Sequence, residues 1–174
     1  MSIDLKTMPK LGFGLMRLPE KDGKIDIEHL SRMVDAYMQS GMNYFDTAYV
    51  YHGGNSEKAI REALVKRYPR DRFMLATKLP AWCMKTPEDR DRIFNEQCER
   101  CGVDYFDFYL LHNVNENSLA CYYGNPENRY LEYFMEQKEK FKKEALRIRQ
   151  LINEHIVAVH DFFEENGTAY YVMD

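Results

Sequence analysis

The stretch Met42-Asn43-Tyr44-Phe45-Asp46-Thr47-Ala48-Tyr49-Val50-Tyr51-His52-Gly53-Gly54-Asn55-Ser56-Glu57 holds a complete strand-to-helix transition. Residues 42–45 form a short apolar run that reads as a buried strand. Asp46 closes the run and two glycines follow. Asn55 or Ser56 then stands where an N-cap belongs, ahead of a helix expected to about Lys66 with Ile60, Ala63 and Leu64 on one face.

The same unit repeats on both sides. Upstream, residues 11–16 with Gly12 and Gly14 read as a strand and residues 21–24 as a turn. Ile27, Leu30, Met33, Val34 and Tyr37 then fall at helical spacing until Gly41 stops them. Downstream, residues 72–77 read as a third strand, broken by Pro80. Thr86 is the expected cap of a third helix, with Pro87 first and Glu88 and Asp89 in its opening turn. Gly102 ends that helix and residues 105–111 make a fourth strand. Residues 113–128 are polar and turn-rich, and a fourth helix is expected from near Pro126 past Lys140. Such alternation predicts a parallel sheet with right-handed crossovers.

The rhythm changes after that. Residues 141–153 continue as helix, with Ala145, Ile148, Leu151 and Ile152 on one face. Residues 156–163 are strand-like, Glu164-Glu165-Asn166-Gly167 is a hairpin turn signal, and residues 168–173 form the returning strand.

Composition narrows the function classes. The chain has 174 residues with 45% hydrophobic and 30% charged, an ordinary globular balance. A net charge of -4 gives no electrostatic footprint for nucleic acid. No apolar run is long enough to span a membrane, and the first six residues lack the apolar core of a signal peptide, so a cytoplasmic location is expected. Among the four cysteines, Cys98 and Cys101 make one C-x-x-C inside a helical pattern. A structural zinc site needs further ligands at matching spacing, so no metal is expected.

Chemistry gathers where strands end. Asp46 follows the second strand and Tyr51 lies five residues on, in the connection. Lys78 ends the third strand and His112 the fourth. In a βα barrel the active site is built at the C-terminal ends of the strands, so these four residues point to one mouth. They suit carbonyl reduction. The alkoxide left by hydride addition needs a proton, which a tyrosine can supply. A free phenol has a pKa of about 10, and a nearby ammonium favours its ionised form. Lys78 is the candidate ammonium, Asp46 its partner, and His112 a hydrogen-bond donor to the carbonyl oxygen. The hydride itself must come from a nicotinamide. Singly, each residue has an ordinary reading: a helix-capping Asp, a solvated Lys, a structural His, one Tyr among 13.

Residues 8 to about 140 resemble the aldo-keto reductase family. The likeness is carried by Leu11-Gly12-Phe13-Gly14-Leu15-Met16-Arg17-Leu18-Pro19, by the D-T-A-x-x-Y stretch of residues 46–51 followed by Asn55-Ser56-Glu57, by Ala76-Thr77-Lys78 and by Asp107-Phe108-Tyr109-Leu110-Leu111-His112. The resemblance implies an eight-stranded (β/α) barrel that binds NADPH. It makes Tyr51 the proton donor, Lys78 its tuner, Asp46 the partner of Lys78 and His112 the carbonyl orienter. It also places Met16 and Arg17, with Asp46, near the nicotinamide end of the cofactor. Family members run to roughly twice this length, and their later strands carry most of the grip on the cofactor. The expected fold is therefore α/β: a truncated (β/α)8 TIM barrel of about four βα units, followed by a helix and a β-hairpin.

The remainder, from about 141 to 174, resembles a piece of a bacterial Ser/Thr protein kinase N-lobe. The resemblance makes Glu144 the helix glutamate and sets Met173 before the hinge. The glycine-rich loop, V-A-I-K lysine, H-R-D loop and D-F-G are missing, so no kinase activity is expected. The expected organisation is a reductase-like half barrel at 1–140 and a kinase-like fragment at 141–174. The expected activity is NADP-dependent reduction of a small carbonyl compound, with a catalytically inactive fused or truncated fragment as the alternative. Two half barrels pairing through their open edges would give a homodimer.

Overall fold

The computed structural model describes residues 8–123, 133, 136, 159–165 and 168–173. Residues 9–128 form one compact unit, and the C-terminal hairpin belongs to another. The first unit is built on strands β1 (Phe13–Gly14), β4 (Tyr44–Asp46), β5 (Met74–Leu79) and β6 (Phe108–Leu111), which pair in that order, all parallel. Between β1 and β4 lie β2 (Glu20–Lys21) and β3 (Lys24–Ile25), a small antiparallel hairpin, and then helix α1 (Ile27–Gln39). Its two-residue loop puts Asp22 and Gly23 at positive φ, as a tight hairpin turn requires.

Helix α1 forms where the 3.6-residue spacing expects it. Asp26 caps it by accepting the His29 amide, and Gly41 follows it at φ +84°. Leu30 and Val34 point inward and are fully buried. They meet Phe45 and Leu75 from the sheet and Ile60 and Leu64 from the next helix. An aromatic triangle closes this layer: Phe13, Tyr37 and Phe45 have ring centroids 5.1–5.5 Å apart. The Tyr37 hydroxyl donates to the Leu11 and Tyr44 carbonyls, tying α1 to the start of two strands.

Helix α2 (Asn55–Ile60) runs on as a π-helical turn over Arg61–Val65, where the Lys66 amide reaches back to the Arg61 carbonyl at 3.0 Å. Helix α3 (Asp89–Cys101) ends at Gly102, φ +71°. A short helix α4 (Leu119–Tyr123) follows β6. No helix among the described residues is long and apolar enough to cross a membrane. In the second unit, β7 (Val159–Glu165) and β8 (Thr168–Met173) pair antiparallel, as the hairpin signal predicts.

Local details depart from the sequence reading. Neither Asn55 nor Ser56 caps α2, because the left-handed Gly54 occupies that position and the Ser56 hydroxyl is drawn into the core. Thr86 does not cap α3, which starts at Asp89. The Asp89 carboxylate folds back to accept the Lys85 and Thr86 amides. Lys78 is the penultimate residue of β5, and Leu79 ends it. The turn-rich segment after His112 contains α4. The expected fourth helix lies outside the described residues except at Tyr133 and Glu136, and the expected helix of 141–153, with Glu144, lies wholly outside them.

Among the described residues, Phe45 is the largest fully buried side chain. Phe45→Ala is expected to cost about 3–5 kcal/mol. Urea unfolding checks this, through a lower midpoint with an unchanged slope.

Candidate active site

Alternation along the strands sorts side chains onto two faces. Phe45, Thr47, Leu75, Thr77 and Leu79 are fully buried and turn toward the helices. Tyr44, Asp46, Lys78 and Leu110 sit on the other face, in a register that sets Asp46 beside Ala76 and Lys78 beside Leu110. His112 follows directly after β6. Tyr51 opens a 3-10 turn, Tyr51–Gly54, on the connection leaving β4.

This arrangement brings the four sequence-predicted residues together. The Lys78 ammonium donates to Asp46 Oδ1 at 2.5 Å and to the Thr47 carbonyl at 2.7 Å. It also stands 4.8 Å from the centroid of the Tyr51 ring. The Tyr51 and His112 rings meet edge to face at 5.6 Å. Burial lowers the pKa of His112, and the Lys78 charge adds to this against the opposing pull of Asp46. The imidazole is therefore neutral at pH 7, and its Nδ1 is buried without a hydrogen bond. Tyr44 shares the face, but burial and the Asp46 charge push its phenol up to about 12, so it is poorly suited to give up a proton. Met16 and Arg17 are exposed beyond the same end of β1.

Other residues at the site carry no sequence signal of their own. Trp82 packs against His112 with centroids 5.0 Å apart. It lines an open concavity of about 360 Å³ together with Asn113, Asn115, Asn117, Ser118 and Cys121. Behind β5 lies a buried polar cluster. Glu57 is fully buried, and its Oε1 accepts from the Thr77 hydroxyl at 2.9 Å and from the Gln97 amide at 2.8 Å. The same amide reaches the Lys78 carbonyl at 3.2 Å, and the Tyr109 hydroxyl donates to Gln97 Oε1. Arg100 reaches Glu57 Oε2 at 3.3 Å and also pairs with Glu96. Burial pushes the Glu57 carboxyl up despite these donors. Arg100, opposed by its own burial, is kept charged first by Glu96 and then by Glu57. Glu57 was legible only as part of a motif, and nothing marked Gln97 or Arg100.

Cys98 and Cys101 both lie in α3 and both are free thiols. Burial raises both, Cys101 very strongly, which disfavours thiolate chemistry. Among the described residues no group of three or more His, Cys, Asp or Glu is placed to hold a metal.

The sequence profile of the Aldo/keto reductase family matches residues 10–150, and the chain belongs to that family. It is 32% identical over 117 residues to an aldo-keto reductase of Mycolicibacterium smegmatis, covering 66% of this chain and 38% of that protein. It is 30% identical over 106 residues to an aldehyde reductase of Saccharomyces cerevisiae, covering 61% of this chain and 30% of that protein. Among solved structures, an aldo-keto reductase from Klebsiella pneumoniae in complex with NADPH superposes with a TM-score of 0.57 at 26% identity. That match covers 79% of this chain and 42% of the other. The holo form of an aldo-keto reductase from Bacillus halodurans gives 0.57 at 25% identity, covering 82% and 46%. The chain thus spans less than half the length of these relatives, and its βα units correspond to part of their barrel.

Two measurements test the electrostatics. The His112 ring, followed by NMR, is expected to titrate below the usual histidine value of about 6.5. Lys78→Met removes a cation while leaving Asp46, so the midpoint should rise; an unchanged midpoint would contradict the coupling. Arg100→Met leaves Glu57 buried without its cation and is expected to cost about 3–5 kcal/mol in urea unfolding.

Proposed function

We propose that this chain supplies the acid–base half of an NADP-dependent carbonyl reductase site, with Tyr51 as proton donor to an aldehyde or ketone. One observation carries the reading: Lys78 stands in contact range of Asp46 and of the Tyr51 ring at once, and His112 meets that ring edge to face. The named activities of the relatives, an aldehyde reductase and an NADPH complex among them, support the substrate class and the cofactor.

The division of labour follows from charge. Asp46 holds the Lys78 ammonium in place, mostly out of water, where its field on Tyr51 is weakly screened. That field stabilises the phenolate left when Tyr51 hands its proton to the nascent alkoxide oxygen. His112, kept neutral by burial and by Lys78, retains one N–H with which to orient the carbonyl oxygen. Trp82, packed at a tilt against His112, forms the apolar wall beside the carbonyl. The exposed Met16 and Arg17, together with Asp46, fit the nicotinamide end of the cofactor, whose contribution when bound is the hydride. We read a second copy, paired through the open sheet edges, as a source of further grip on the cofactor.

The test is titration of NADPH into the purified protein, followed by fluorescence, with the mass in solution measured alongside. Saturable micromolar binding is expected, with a dimeric mass if two chains complete the site. Tyr51→Phe should keep that binding and lose about 100-fold or more of kcat on a panel of aldehydes. No binding at millimolar NADPH would leave a reductase-derived chain whose quartet is idle.

A further inference from the structure

The connection that carries Tyr51 has an unusual backbone. His52, Gly53 and Gly54 all take left-handed conformations, with φ of +50°, +62° and +89°. Glycine enters this region freely, but a residue with a Cβ does not. His52 therefore needs something that holds it there. Its imidazole is pinned at both nitrogens. Nε2 accepts the Leu18 amide at 3.1 Å, across 34 residues of sequence. Nδ1 lies 3.1 Å from Glu20 Oε1 on β2. An imidazole that accepts at Nε2 carries its proton on Nδ1, the nitrogen that faces the carboxylate. The two contacts thus select the same tautomer.

Both partners lie just after Met16 and Arg17. The ring therefore joins the segment leaving β1 to the turn that presents Tyr51. Among the described residues, no other hydrogen bond or ion pair from a side chain of the turn links those two segments. Within the turn the Gly53 amide bonds only to the Val50 carbonyl, which fixes local shape and not the distance to β1.

We infer that His52 is a positioning residue, whose Nδ1–H tautomer, set by Glu20, holds the left-handed turn carrying Tyr51 against the segment after β1. The kinetic part of this inference rests on the proposed reductase reading; the conformational part does not. Displacing a reacting group by about 1 Å costs on the order of 100-fold in rate, so a loosened turn should appear in kcat rather than in substrate KM.

The experiment uses the whole chain labelled with 15N, together with His52→Gly, Glu20→Ala and Glu20→Gln. His52→Gly is informative because it eases the backbone while removing the ring, so a purely conformational role predicts a better-behaved turn. In the native protein the His52 nitrogens should show the Nδ1–H tautomer. Glu20→Ala should mix the tautomers, and Glu20→Gln, which still offers an acceptor oxygen, should restore the native signature. His52→Gly should shift the Tyr51 ring resonances while those of buried Phe45 stay in place. With NADPH and an aldehyde it should lower kcat about 10- to 100-fold with KM little changed. An Nε2–H tautomer in the native protein, or Tyr51 resonances unmoved in His52→Gly, would overturn the inference. If no variant, native included, turns over substrate while the spectra behave as stated, the reductase reading fails and the positioning role stands.

Discussion

A carboxylate with no access to water sits at the centre of this unit, and the geometry of the site follows from how it is satisfied. Glu57 belongs to α2, Thr77 to β5, and Gln97 and Arg100 to α3. A buried charge left unpaired costs several kcal/mol, far more than the 0–1 kcal/mol typical of exposed ion pairs such as Arg32–Glu28. The three elements can therefore pack in one relative position only. Because the Gln97 amide also holds the Lys78 carbonyl, that position fixes the backbone from which the ammonium projects.

The front of the sheet inherits this order. Lys78 is anchored by backbone behind it and by Asp46 beside it, so its charge is delivered to Tyr51 by rigid strands and not by a mobile loop. Tyr51 is the member of the quartet that does not sit on or next to a strand. It depends on the succession of left-handed residues after it and on the contacts that hold them. Rigid charges facing a donor on a tethered turn make a preorganised electrostatic site.

Much of this was legible in the sequence, for a physical reason. Periodicity reports which face of an element is buried, so the helices over Ile27–Gln39 and Asp89–Cys101, the four strands and the final hairpin could be read from it. Strand ends then located Asp46, Lys78 and His112. What misled was chemistry with two outlets. A serine ahead of a helix reads as a cap, yet Ser56 bonds to the Leu15 carbonyl and the Thr47 hydroxyl, because a left-handed glycine had already opened the helix. Asp89 reads as a residue of the first turn, yet it reaches back over the preceding amides. Gln97 could not be found at all: an amide in a polar-rich helix looks solvated until the four groups it meets are known.

The alternation along β4 and β5 has a further consequence, which is a rule of parity. Asp46 and Lys78 are even-numbered, while Phe45, Thr47, Leu75, Thr77 and Leu79 are odd and pack against the helices. Along these strands chemistry and folding occupy interleaved positions that share no side chain. Apart from the fully buried Ala76, the even positions are thus open to functional divergence while the odd ones hold the scaffold. A single-residue insertion between them exchanges the two sets at a stroke, sending the ammonium into the core and a core residue into the mouth.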